Sequence, residues 1–209
     1  MPQTTTGVRS VLSAAVVYDG FQRLVGADSL RATIVRDYLL VGPHRRILDI
    51  GCGTAEILRF LPDDVEYVGF DASSEYIESA RTRFGRRGTF FARLVTDADL
   101  GTLGQFDLVT AMSVLHHLSD AEADHVFSLG ARALAAGGRM FTNDPCLVPG
   151  QSPIARAVIQ RDRGRNVRSP EGYRALTEGH FDKVTVDVRH DLLHIPYSHA
   201  LLTCAEPKA

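Results

Sequence analysis

A chain of 209 residues with 44% hydrophobic and 23% charged side chains has an ordinary globular composition, and its length fits one domain, 1–209, with a substantial core. A formal net charge of −2 gives no electrostatic reason to expect nucleic acid as a partner, and no apolar stretch approaches bilayer-spanning length, so no membrane partner is expected. Cys52, Cys146 and Cys204 make neither a disulfide framework nor a metal-type spacing, and the amino terminus has no basic region followed by an apolar run; a cytoplasmic protein without a metal is expected.

Residues 1–7 read as a tail. A short helix is predicted over Val8 to Gly20 and a second over Asp28 to Val41, with Asp28 as N-cap and Leu30, Ile34, Val35 and Tyr38 at helical spacing. Residues 1–42 would thus form a helical cap, either a lid with Tyr18 and Phe21 facing a cleft or a layer packed on a sheet. Arg46 to Ile50 is a buried strand, followed by a turn at Gly51 and Gly53, and Thr54 would cap a helix that Pro62 stops. Val65 to Asp71 reads as strand two, Ser73 caps a helix to about Phe84, and Thr89 to about Val95 is strand three. Phe106 to about Met112 is strand four. The capping box Ser119–Glu122 then opens a helix that Gly137-Gly138 ends, and Arg139 to Thr142 is strand five.

The stretch from about 143 to 180 is rich in proline and arginine and reads as an insertion, with helices over Ile154 to Arg161 and from Ser169-Pro170 to about Gly179. Val184 to Val188 alternates as an antiparallel strand does. Leu193 to Ile195 and Ala200 to Cys204 suggest a last strand interrupted near Pro196. Strands alternating with helices from residue 43 to 209 predict an α/β fold. It is a doubly wound, mostly parallel, seven-stranded Rossmann-like sheet with an antiparallel final strand.

The glycine turn departs from the dinucleotide fingerprint. The third glycine of that pattern is replaced by Glu56, whose charge would oppose a pyrophosphate, and Asp49 precedes the turn. Asp71 ends strand two, where an acid can accept from both ribose hydroxyls. The ligand implied has a ribose, some positive charge and no pyrophosphate.

Five segments resemble, in order, the motifs of the class I S-adenosylmethionine-dependent methyltransferases of the small-molecule branch. They are Ile47-Leu48-Asp49-Ile50-Gly51-Cys52-Gly53-Thr54, Val68-Gly69-Phe70-Asp71-Ala72-Ser73, Phe106-Asp107-Leu108-Val109, Val114-Leu115-His116-His117-Leu118 and Ala136-Gly137-Gly138-Arg139-Met140. The resemblance runs from about Ile47 to Thr142, and Ala55 replaces the family's usual third small residue. It implies S-adenosyl-L-methionine as cofactor and S-adenosyl-L-homocysteine as product. Gly51, Cys52 and Gly53 would approach the methionine part, Asp49 its amino group and Asp71 the ribose. Ala72, Ala111 and Met112 would flank the nucleoside, with Tyr18 above it. Asp97 is the nearest carboxylate for the adenine amino group, and Leu94 is the alternative at that place.

Methyl transfer needs an aligned acceptor and, for a hydroxyl or ammonium, a base. His116 and His117 follow strand four and are the candidates, one as base and the other holding the loop; Asp144, just after strand five, would orient a histidine or the acceptor. Two purely structural histidines, and an Asx-turn at Asp144, are the bland alternatives. Arg156, Arg161, Arg163, Arg165 and Arg168 make an anionic acceptor conceivable, against a simply solvated basic helix. The expected activity is methyl transfer to O or N of a small metabolite by a monomer or homodimer. The rivals are a nicotinamide-dependent oxidoreductase and a non-catalytic cofactor-binding partner protein.

Overall fold

A computed structural model of the chain describes residues 25–42, 45–161 and 165–208. The helix predicted over Val8 to Gly20, with Tyr18 and Phe21, and Arg163 lie outside these residues. Seven strands form one sheet: β1 Arg46–Ile50, β2 Glu66–Asp71, β3 Gly88–Ala92, β4 Phe106–Met112, β5 Leu134–Pro145, β6 Phe181–Arg189 and β7 His199–Pro207. Their order is β3-β2-β1-β4-β5-β7-β6. β1 to β5 are mutually parallel, and β7 runs antiparallel between β5 and β6. The carboxyl ends of β1 to β6 and the start of β7 therefore share one edge of the sheet, where ligands of open α/β sheets bind.

The strands are apolar on both faces because both are covered. In β1, Leu48 and Ile50 join one core cluster and Ile47 the other. β4 divides likewise, Val109 and Ala111 against Leu108. The helices are α1 Ala27–Ile34, α2 Ser74–Phe84, α3 Asp97–Leu103, α4 Asp120–Ala133, α5 Pro153–Arg161 and α6 Pro170–Ala175. Phe127 and Leu129 of α4 and Tyr173 of α6 cover one face of the sheet, while Ile34 of α1 and Ile77 and Ala80 of α2 cover the other.

Several local expectations change. The second predicted helix starts at Ala27, with Gly26 at its N-cap in a left-handed conformation (φ 95°), and Asp28 instead pairs with Arg31 and Arg59. It continues as a π-helical turn over Val35–Leu39, whose last carbonyl accepts from Arg139 of β5. Tyr38 donates to Asp187 of β6, and its ring meets that of Phe141 at 5.7 Å, so this part of the cap is packed on the sheet. The helix expected after Thr54 is only a 3-10 turn over Glu56–Arg59, begun by Ala55 at φ 56°. α3 was not anticipated, because seven residues holding two aspartates and a glycine carry little apolar periodicity. β5 begins at Leu134, directly after α4, and Gly137-Gly138 lies within the strand beside an irregularity in its pairing with β4. Leu193 to Ile195 is loop, and β7 is one continuous strand.

Candidate functional site

The glycine turn leaves β1 at the carboxyl edge. Gly51 adopts φ 74°, and a Cβ there would meet Val114 Cγ2 at 2.4 Å. Gly53 adopts φ 54°, and a Cβ there would point into open space. The N–H groups of Gly51 and Cys52 both donate to Phe70 O, at 2.8 and 3.0 Å. The N–H of Gly53 donates to Asp71 Oδ2 at 2.9 Å, while Asp71 Oδ1 accepts from Ser73 N at 2.8 Å. The turn's donors thus bind β2 and the Asp71 carboxylate. A cradle of free N–H groups for a pyrophosphate is not what this turn builds. Each Asp71 oxygen keeps a lone pair for a hydroxyl donor.

Glu56 is also corrected. It is nearly buried and ion-paired with Arg59 at 3.3 Å and with Arg83, so it faces these arginines rather than a ligand. Asp49 is 1% exposed and accepts from Tyr67 Oη at 2.5 Å and Thr110 Oγ1 at 2.8 Å. These three lie on one face because Asp49 pairs with Thr110 while Tyr67 stands opposite Ile47, two residues away. Burial pushes the Asp49 carboxyl up to about 6, against the two hydrogen bonds that favour its charged form. Burial, with Asp49 and Asp71 nearby, holds the Cys52 thiol far above its ordinary range, so it stays protonated and is no nucleophile.

The structure does not bring every predicted residue together. Ala111 is fully buried in the core, so its side chain is not offered to a ligand, while Ala72 is exposed and Met112 half-buried at the edge. Asp97 is held at 2.6 Å by Arg132, near the end of α4. Arg132 lies two residues before Leu134, which pairs with the first residue of β4, so the Asp97 carboxylate is drawn toward the opposite edge of the sheet. Leu94 instead stands 71% exposed, two residues past the rung that joins Asp71 to Ala92.

β4 and β5 position the second half of the site. Ser113, in a left-handed conformation at φ 58°, donates its N–H to Asn143 O at 2.6 Å and turns the chain into a 3-10 turn over Leu115–His117. His116 is 3% exposed. Its Nδ1 lies 2.8 Å from Asp144 Oδ1, and the same oxygen accepts the His116 backbone N–H at 3.1 Å. A carboxylate only accepts, so neutral His116 carries its proton on Nδ1 and its lone pair on Nε2. His117 is exposed, its ring centroid 3.9 Å from that of His116. Asp144 is thus a histidine partner rather than a turn residue.

Two further residues take part in ways that the sequence did not specify. Arg168 donates to Leu115 O at 2.9 Å, Leu118 O at 2.8 Å and Asp120 Oδ1 at 2.7 Å, clamping the turn that carries both histidines. The run of arginines was a signal, but read for charge, not for carbonyl partners. His199, the first residue of β7, is buried opposite Pro145; burial, with His116 and His190 nearby, drives its imidazole down to about 4.

Residues 48–140 match the family model described as a methyltransferase domain. An uncharacterised methyltransferase of Synechocystis sp. is 28% identical over 115 residues, 54% of this chain and 53% of that protein. The chain thus matches about half the length of this curated relative. Among solved structures, human N-acetylserotonin methyltransferase superposes with a TM-score of 0.67 at 18% identity, over 95% of this chain and 57% of that one. Haemonchus contortus phosphoethanolamine N-methyltransferase 2 gives 0.63 at 16%, over 85% and 52%. A TehB-like methyltransferase of Corynebacterium glutamicum gives 0.58 at 16%, over 92% and 99%. The methyltransferase-domain match spans the strands that build the glycine turn, and the sheet order is that of a Rossmann-like fold, so this part of the chain is similar to methyltransferases.

Proposed function

We propose that this protein transfers a methyl group from S-adenosyl-L-methionine to an oxygen or nitrogen of a small-molecule acceptor. The observation that carries the reading is the buried His116–Asp144 pair at the same sheet edge as the glycine turn and Asp71. Two neighbours add support: the human enzyme was solved with S-adenosylmethionine, and the Haemonchus enzyme with S-adenosylmethionine and, separately, with phosphomonomethylethanolamine and S-adenosylhomocysteine.

The residues present fit this cofactor. Open space before Gly53 admits the methionine part, Asp71 can accept from ribose hydroxyls, and the buried Asp49 supplies negative charge toward an ammonium. Leu94 is the apolar surface for the adenine. When bound, S-adenosylmethionine supplies an electrophilic methyl group whose leaving group is a neutral thioether. The chain's own residues do the rest. His116 Nε2 takes the acceptor's proton as the new bond to carbon forms, and Asp144 holds the imidazolium that results. Arg168 keeps the His116 turn in place from behind.

Calorimetric titration with S-adenosylhomocysteine, with NAD in parallel, tests the reading. Binding of S-adenosylhomocysteine is expected, weakened about 100-fold or more by Asp71→Ala, since two hydroxyl hydrogen bonds to a carboxylate are lost. Binding of NAD instead, or indifference to Asp71→Ala, would return the oxidoreductase reading.

A further inference from the structure

We infer that the hollow between the β5–α5 loop and the β6–β7 loop is the acceptor site and that it selects an uncharged molecule offering a hydrogen-bond donor beside an acceptor. This rests on the function proposed above and adds the acceptor's chemistry to it. Val148, Gln151 and Ala155 line the hollow on one side, His190, Tyr197 and Ser198 on the other, around about 260 Å³. At roughly 30 Å³ per water, that volume suits a molecule of about ten heavy atoms. Both loops leave the edge that carries Asp144, and Cys146, two residues beyond Asp144, donates its N–H to Ser198 O at 2.9 Å. The hollow therefore lies at the sheet edge that carries the His116–Asp144 pair.

Its polar groups form an ordered chain. Gln151 Nε2 donates to Ser198 Oγ at 2.8 Å and to Cys146 O at 3.2 Å, which engages both amide hydrogens. Gln151 Oε1 is buried with no hydrogen-bond partner among the described residues. A buried carbonyl left so is unfavourable, and a donor on a ligand would satisfy it. Ser198 Oγ is also 2.9 Å from His190 Nδ1. In the tautomer this proposal assigns, the Ser198 hydroxyl gives its hydrogen to Nδ1, and His190 bears its proton on Nε2 and is a donor. One free acceptor and one donor result.

No Asp, Glu, Lys or Arg lines the hollow among the described residues. Arg156, Arg165 and Arg168 do not reach it; the first two are exposed and the third clamps the histidine turn. A charged acceptor would lose its hydration there without a counterion, which is unfavourable. These three arginines therefore do not select an anionic acceptor in this hollow.

Three probes of one shape and different charge test this: benzamide, benzoate and benzamidine, titrated by NMR with and without S-adenosylhomocysteine at slightly alkaline pH, where histidines are neutral. Benzamide is expected to bind at least about tenfold more tightly than either ion. Gln151→Glu should turn the preference to benzamidine. Ser152→Trp, at an exposed lining position, should abolish benzamide binding while leaving the Tm and S-adenosylhomocysteine affinity unchanged. The inference is overturned if benzoate or benzamidine binds as tightly as benzamide, if benzamide does not bind, or if Ser152→Trp leaves its binding intact. Failure of S-adenosylhomocysteine to bind, with the benzamide preference kept, would strike the cofactor reading and leave the selectivity standing.

Discussion

Asp49 is buried with its carboxyl raised to about 6, while His199 is buried with its imidazole lowered to about 4. An unfolded aspartate titrates near 3.8, so between about 6 and 4 the native chain binds a proton at Asp49 that the unfolded chain lacks, and acidification stabilises the fold. An unfolded histidine titrates near 6.5, so over nearly the same window the unfolded chain binds a proton that native His199 refuses, and acidification destabilises the fold. Each effect is about 3 kcal/mol, and they offset. Asp49→Asn should therefore lose stability relative to the parent as pH falls from about 6.5 to 4, and His199→Leu should gain it. Denaturant titrations across that window check both signs. His116 and His117 separate by burial. His116 is buried against Asp144 and His117 is exposed, so His116→Ala should lower kcat by about 100-fold or more while His117→Ala stays within about tenfold. Single-turnover methyl transfer with S-adenosylmethionine, once an acceptor is in hand, decides between them.

Among elements, the turn Leu115–His117 is too short to hold itself, and the clamp comes from Arg168, some fifty residues along the chain. One guanidinium reaches two carbonyls and one carboxylate, a fork that a lysine ammonium cannot reproduce. Arg168→Lys should lower kcat about tenfold with little change in S-adenosylhomocysteine affinity, and should cost about 2 kcal/mol in stability. If kcat holds while only stability drops, Arg168 is structural and does not position His116. The histidines themselves were legible, because they follow a strand whose apolar run ends at Met112. The clamp was not, since its partners are backbone carbonyls that any sequence would offer. Helix α3 escaped for a similar reason: its capping box Thr96–Asp99 makes a local start without an apolar stripe to advertise it.

For the whole molecule, β7 lies between β5 and β6, so the last strands complete the core rather than decorate it. Ala200, Leu201, Leu202 and Cys204 are buried on the sheet's two faces. Removal of residues 181–208 should abolish cooperative unfolding, measured by near-UV circular dichroism on heating; a retained sharp transition would show that β1 to β5 fold without them. By itself the sequence determined the strands, their parallel order of succession, the glycine turn and the acid Asp71 at its edge, because apolar runs, glycine conformations and helix caps are local in the chain. Only the tertiary structure decided which side chains meet. It turned Glu56 toward Arg59 and Arg83, drew Asp97 to Arg132, joined His116 to Asp144, and left the Gln151 carbonyl unmatched beside Ser198. Those pairings span distances along the chain that no periodicity encodes, and they depend on which loops the sheet order brings to one edge.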